Sequence, residues 1–238
     1  MTPGEAWEQE AESWIRWTRT PGHDGYWWYR DLFFEIVPPP GRATVELGCG
    51  EGRVCRDLAA RGHRVTGVDA SPTLLAAARD AHPEGEYVLA DAAAAPLPDA
   101  AFDLAVAHNS LMDVDDMPGA VREAARLLVP GGRFCVAVTH PIADAGRWDD
   151  DGRLVIEGSY FGRRRFEGTF ERDGLTMTFR GWVYALEDYF RALEDAGFLV
   201  EAVREPRIPD ALAKRRGPRA ERWKRLPNFL YVRAVKPR

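Results

Sequence analysis

The most constraining feature of this chain is Val45-Glu46-Leu47-Gly48-Cys49-Gly50-Glu51-Gly52-Arg53-Val54, three glycines at alternate positions between an apolar run and a helical stretch. Ala43 to Leu47 is rich enough in apolar residues to form a buried strand. Arg53 to Ala60 reads as a helix. The glycines therefore occupy a strand-to-helix turn, where they permit positive φ and let a ligand approach the backbone. The helix that follows presents its first N–H groups to whatever lies above the turn, which favours a carboxylate or phosphate. Spacing then narrows the ligand. A dinucleotide fingerprint, G-x-G-x-x-G, would need glycine where Arg53 stands, and a P-loop would need Gly-Lys-Ser/Thr. What remains is E-x-G-x-G-x-G; an ordinary tight turn of an α/β fold is the plainer alternative.

A second marker follows. Arg64-Val65-Thr66-Gly67-Val68-Asp69 reads as a buried strand ending in an acid 17 residues after Gly52. An acid at the tip of a second strand can accept hydrogen bonds from two ribose hydroxyls. With Asp91-Ala92 after a third strand and Pro130-Gly131-Gly132 before a fifth, the chain resembles the class I S-adenosylmethionine-dependent methyltransferases over roughly residues 40 to 140. Weaker echoes occur in 185 to 204 and 228 to 236.

The resemblance implies an α/β, Rossmann-like methyltransferase fold. Its sheet would have seven mostly parallel strands in the order 3-2-1-4-5-7-6, with the last strand antiparallel. A helical N-terminal lid would span 1–40, the S-adenosylmethionine-binding core 41–140, a cap insertion 141–184, and a C-terminal completion of the sheet with a basic insertion 185–238. The cap reading rests on alternating patterns such as Thr176-Met177-Thr178-Phe179 and on the hairpin signal Arg172-Asp173-Gly174-Leu175. Ser71-Pro72 caps and starts a helix reaching about Ala81, and Gly197 follows the helix Ala185 to Ala196.

The same resemblance assigns Glu46, Gly48, Gly50, Asp69, Ala70, Leu74, Asp91, Ala92 and His108 to the cofactor, with Asp91 alternatively a simple turn residue. In the N-terminal stretch, which holds five of the eight tryptophans, Trp7, Trp14 and Trp17 fall on one helical face and read as packing. The run Tyr26-Trp27-Trp28-Tyr29-Arg30 is too aromatic to face one core. In the family, a lid Tyr and Arg commonly reach the methionine carboxylate, so Tyr29 and Arg30 are candidates for that role, set against simple packing. Tyr26, Trp28, Asn109, Tyr160, Trp182 and Tyr184 are candidates for the acceptor site. Ligands of open α/β sheets bind at the carboxyl ends of strands, which makes His140, after the fifth strand, the first choice for a general base. A substrate-orienting or structural role for His140 stays equally open. Arg163-Arg164-Arg165 is a solvated turn or an anion grip.

Composition trims the functions. No run of 18 apolar residues is present, and Met1-Thr2-Pro3-Gly4-Glu5 lacks the pattern of a secretory leader, so the expectation is a cytoplasmic protein without membrane contact. Cys49, Cys55 and Cys135 lack metal-ligand spacing and read as reduced, buried thiols. The net charge of −5 hides a balance of +9 from Arg204 onward, 12 Lys/Arg against 3 Asp/Glu. The acidic remainder would repel a long polyanion, so nucleic acid is disfavoured. The expected activity is methyl transfer from S-adenosyl-L-methionine to an oxygen or nitrogen of a small molecule, by a monomer or homodimer and without a metal, S-adenosyl-L-homocysteine being the product. An RNA or protein methyltransferase using the basic region, or a cofactor-binding protein without methyl transfer, are the alternatives. His108-Asn109-Ser110-Leu111 stands where an amide-nitrogen methyltransferase would carry Asn-Pro-Pro-aromatic, which argues against adenine-N6 or glutamine as acceptor.

Overall fold

The computed structural model describes residues 3–238, and the backbone alone at 3, 215, 216, 218 and 219; Met1 and Thr2, part of the stretch read for a leader, lie outside the described residues. Two helices come first, α1 (Pro3–Arg19) and α2 (Tyr26–Phe34). The core then alternates: β1 (Thr44–Leu47), α3 (Arg53–Ala60), β2 (Val65–Asp69), α4 (Pro72–Ala81), β3 (Glu86–Leu89), β4 (Phe102–His108), a 3-10 turn (Leu111–Asp113), α5 (Met117–Leu127) and β5 (Leu128–Thr139). The cap comprises α6 (Pro141–Asp144), the short pair β6 (Arg147–Trp148) and β7 (Leu154–Val155), and the long hairpin β8 (Arg164–Arg172) with β9 (Leu175–Val183). The chain closes with α7 (Leu186–Asp195), β10 (Leu199–Arg204), α8 (Asp210–Arg216), α9 (Pro218–Glu221) and β11 (Phe229–Val235).

The main sheet runs β3-β2-β1-β4-β5-β11-β10, and β11 is antiparallel to both neighbours. Counting only its own strands, the order is 3-2-1-4-5-7-6, as expected. The central strands carry continuous apolar runs because helices cover both faces. One core layer joins Leu47, Val68, Phe134 and Val138 to α5 and α7 through Val121, Leu127 and Leu193. The other joins Val106 and Cys135 to α2 and α3 through Tyr29, Phe33 and Leu58.

Local chemistry sets the boundaries. Ser71 accepts a hydrogen bond from the Leu74 N–H at 3.1 Å with Pro72 in the first turn, the expected start of α4. Asp173 and Gly174 join β8 to β9 at φ +51° and +75°, the left-handed pair that a two-residue hairpin requires.

Two expectations are revised. Pro130-Gly131-Gly132 lies within β5 instead of before it, because the Gly131 N–H donates to Lys236 O and the Lys236 N–H to Gly132 O, extending the pairing toward the chain's end. The aromatic run of α2 mainly packs, although Tyr26 also borders a cavity. Tyr26, Tyr29 and Phe33 turn inward, while the indole N–H groups of Trp27 and Trp28 donate to Thr18 O and Gly22 O. The basic insertion is folded too: Ile208, Ala213 and Ala220 are buried in the second core layer, and Trp223 meets Trp148 edge to face.

Candidate active site

The carboxyl ends of β1, β2 and β4 open into a cavity of about 440 Å³. Gly48 and Gly50 at its floor, and Gly52 just beyond it, adopt φ of +73°, +55° and +78°, a conformation costly for any residue with a Cβ. A Cβ on Gly48 would also lie 2.4 Å from the Ser110 Cβ, whose neighbouring hydroxyl donates to Leu47 O. The turn and the acid are tied together. Asp69 Oδ2 accepts from the Gly50 N–H at 2.7 Å, and Oδ1 accepts from the Ser71 N–H at 2.9 Å. Both oxygens are thus oriented, with lone pairs left for a ligand.

Glu46, Gly48, Gly50, Asp69, Ala70, Leu74, Asp91, Ala92 and His108 all line this cavity, so every cofactor candidate of the core meets there. Asp91 also accepts from the Ala93 N–H at 2.8 Å, so it serves the turn as well. Glu46 is fully buried, and burial pushes its carboxyl up to about 8; the Cys55 thiol donates to its Oε2. Burial pushes His108 down to about 3, helped by the nearby Arg53 charge, so its ring is neutral at ordinary pH. Edges of Tyr26 and Phe33 pack on that ring.

These features fit S-adenosylmethionine. Asp69 offers a carboxylate to a ribose diol, Leu74 and Ala92 an apolar surface to a base, and Glu46 a carboxyl to an amino group. The glycine turn leaves backbone where a Cβ would intrude. The lid supplies the roof: Trp7 and Trp14 of α1 line the cavity, and a Cβ on Gly50 would lie 3.5 Å from Trp14 Nε1.

A second cavity, of about 330 Å³, adjoins the first. Trp7, Trp14, Arg53, Asn109 and Asp113 line both. Its other walls come from the lid and the cap hairpin, including Trp17, Tyr26, Phe170, Phe179 and Trp182, with Thr139 and Asp144 beyond β5. Tyr26, Asn109 and Trp182 are therefore acceptor-site candidates that the fold brings together. Arg53 anchors the corner: it pairs with Asp24 at 2.5 Å and lies over the rings of Trp14 and Tyr26.

Six candidates line neither cavity. Tyr29 is buried against Phe229, and its carbonyl accepts from the Tyr231 hydroxyl. Arg30 faces Asp31 and Asp57 on the outer side of the lid. Trp28 is held at Gly22, and the Tyr160 hydroxyl accepts from the Leu186 N–H. Tyr184 is buried in the main core, edge to face with Tyr189. His140 is the most consequential correction. Its Nδ1 accepts from the Ile142 N–H at 3.1 Å, capping α6, and its Nε2 meets Glu205 Oε1 at 2.9 Å. Both ring nitrogens are occupied, so no lone pair is left for a substrate proton.

Sequence reasoning missed Trp7, Trp14, Arg53 and Asp113 as lining residues. The tryptophan spacing was a signal for one helical face, but not for what that face covers. Arg53 gave only a failed glycine fingerprint, and Asp113 gave no signal.

A methyltransferase-domain family model matches residues 45–136. The solved S-adenosylmethionine-dependent methyltransferase of Mesorhizobium loti superposes with a TM-score of 0.70 at 30% identity, over 89% of this chain and 98% of that one. Among curated relatives, the malonyl-[acyl-carrier protein] O-methyltransferase of Serratia marcescens is 38% identical over 93 residues, 39% of this chain and 36% of that protein. The 2-phytyl-1,4-naphtoquinone methyltransferase of Thermosynechococcus vestitus is 39% identical over 114 residues, 45% of this chain and 51% of its own length. The matched stretch thus spans between about a third and a half of these curated relatives.

Proposed function

The chain belongs to the class I S-adenosylmethionine-dependent methyltransferases, and from that premise we propose that it transfers a methyl group from this cofactor to an oxygen or nitrogen of a small molecule held in the second cavity. The observation that carries the reading is the shared wall. An aromatic-lined cleft of about 330 Å³ meets the cofactor cavity along Trp7, Trp14, Arg53, Asn109 and Asp113.

S-adenosylmethionine, when bound, supplies an electrophilic methyl on sulfur. The protein's part is position. Asp69, held by Gly50 and Ser71, fixes the ribose end, and Leu74 with Ala92 seats the base. The lid helix and the cap hairpin wall the two cavities and narrow the space between donor and acceptor, which favours an aligned approach of about 3 Å between nucleophile and methyl.

A small acceptor is favoured over RNA or protein by two features. The second cavity is enclosed on the lid side by Trp14 and Trp17, whose edges meet Phe179 of the hairpin at 5.9 and 5.8 Å. Part of the basic C-terminal charge is also spent within the fold. Lys224 pairs with Asp210 and Glu221, Arg233 with Glu201, and Lys236 Nζ donates to Ala125 O and Leu128 O. No helix among the described residues is long and apolar enough to cross a membrane. The test is incubation with labelled methyl donor and a small-molecule acceptor library, followed by product analysis. Label in small products supports the reading. Label recovered only in RNA or protein, or cofactor binding with no transfer to any acceptor, would overturn it.

A further inference from the structure

The wall between the two cavities holds polar groups that nothing in the protein satisfies. The Asn109 Oδ1 is buried and without a hydrogen-bond partner. Its backbone, just past β4, takes φ +51°, a conformation uncommon outside glycine and concentrated at functional sites. Four residues on, the half-buried Asp113 side chain has no hydrogen bond or ion pair among the described residues. Room is kept for it by Gly181 of β9, where a Cβ would lie 2.7 Å from Asp113 Oδ1. Its charged neighbours are acids, Asp144 and Asp69. The cavity's cations are engaged elsewhere: Arg53 with Asp24, Arg180 with Glu10 and Glu167, and Arg172 with the His23 carbonyl.

An uncompensated carboxylate beside an orphaned amide oxygen selects its ligand by chemistry. An anionic acceptor would meet unopposed negative charge. A hydroxyl carries one donor for two acceptors. An ammonium carries positive charge and enough N–H groups for both. The surrounding aromatic walls favour a cation as well.

We propose that the acceptor is an amine, which enters as an ammonium, donates to Asn109 Oδ1 and to the Asp113 carboxylate, and passes to Asp113 the proton that frees its lone pair. The proposal rests on the methyl-transfer reading above. In the step, an N–H bond breaks and the proton goes to an Asp113 oxygen, while the electron pair stays on nitrogen. That pair forms the new N–C bond; the C–S bond breaks and its electrons remain on sulfur, which passes from sulfonium to thioether. The product leaves as an N-methylammonium, and Asp113 returns its proton to water. Burial, with Asp144 and Asp69 nearby, pushes the Asp113 carboxyl well above the ordinary range, so its ionised form depends on the opposing charge that a bound ammonium brings. The unpartnered Trp7 Nε1–H, on the same wall, is free to donate to an acceptor atom elsewhere on the bound ligands.

The test uses the full chain saturated with S-adenosylhomocysteine and three probes of one skeleton: 2-phenylethylamine, 2-phenylethanol and 3-phenylpropionate. Calorimetry is expected to show the amine binding at least about tenfold tighter than either of the others. Asp113→Asn, nearly isosteric, should abolish that preference, with a wild-type circular dichroism spectrum and a cooperative thermal transition certifying folding. Equal or tighter binding of the alcohol or the acid, no binding of any probe, or a preference that survives Asp113→Asn would overturn the proposal. Parallel incubation with labelled methyl donor separates the two readings. Amine preference without transfer leaves amine recognition standing and removes methyl transfer. Transfer to the alcohol or acid but not the amine keeps methyl transfer and removes the amine.

Discussion

Asp69 spends both carboxylate oxygens on backbone N–H groups, of Gly50 and Ser71, before any ligand arrives. Its removal would therefore loosen the glycine turn and delete the charge-assisted bonds to ribose, each worth about 1.5–3 kcal/mol. Asp69→Ala is expected to weaken S-adenosylhomocysteine binding at least about tenfold in calorimetry; unchanged affinity would show that another group holds the ribose. Glu46 is the complementary case, a buried carboxyl whose cost appears as pH dependence. Burial raises it from 4.5 to about 8 in the folded protein. Between those values the folded state binds more protons than the unfolded one, so stability falls as pH rises, by up to about 1.4 kcal/mol per pH unit. Glu46→Gln keeps an acceptor for the Cys55 thiol and removes the titration. In urea unfolding of the cofactor-free protein, the variant should lose less stability than the wild type from pH 5 to pH 8, both about the ends of that window. Parallel losses would show that Glu46 does not titrate there.

At the scale of the element, α6 illustrates how a residue with catalytic credentials is consumed by structure. His140 follows the fifth strand, where ligands gather, yet a proline at the next position starts a helix that needs a cap. Nδ1 supplies that cap, and Glu205 takes Nε2. Loss of an N-cap costs about 1 kcal/mol. His140→Ala should thus lower stability by about that amount in chemical denaturation, with kcat reduced less than about threefold. A fall of about a hundredfold in kcat at unchanged cofactor affinity would restore His140 to the reacting site. In α1 the reverse holds: tryptophans spaced for packing cover the edges of Phe179 and also roof both cavities.

For the whole molecule, the question is what keeps the lid closed over the core. Glu8 of α1 reaches α4, accepting from the hydroxyls of Ser71 and Thr73 and from the Thr73 N–H. Burial pushes its carboxyl up, but these bonds outweigh burial and hold it below the ordinary range. At the other end of the helix, Arg19 pairs with buried Glu51 at 2.9 Å and donates to Ala77 O. On the cap side, Arg172 donates to the His23 carbonyl and Asp173 lies 3.4 Å from the His23 ring. Glu8→Ala removes one latch without touching a cavity wall. Amide exchange across α1 should rise severalfold while β4 and β5 keep their protection, since lids open at lower free energy than core strands. If α1 exchanges as slowly as in the wild type, Glu8 is not a latch.

Local chemistry dictated much of this by itself. The glycines at 48, 50 and 52, the acid at 69 and the Asp173-Gly174 turn each demand a backbone conformation or a strand tip that neighbours in sequence supply. Alternating apolar runs and helix caps then give the order of strands along the chain, and family resemblance gives their order in the sheet. The core residues assigned to the cofactor line one cavity for the same reason, because they sit in or just after β1, β2, β3 and β4, whereas Tyr29 and Arg30 of the lid do not. The acceptor side was not. Its walls come from α1, α2, the 3-10 turn and β9, segments far apart in the chain, and α1 and β9 meet where Arg180 reaches Glu10, 170 residues away. Whether an aromatic there packs or lines a cavity depends on what stands opposite, and that is decided only when the lid and the hairpin close. Tyr29 and Tyr184 went to the core and Trp7 and Trp14 to the cavities, although the sequence marks all four alike as large amphipathic residues.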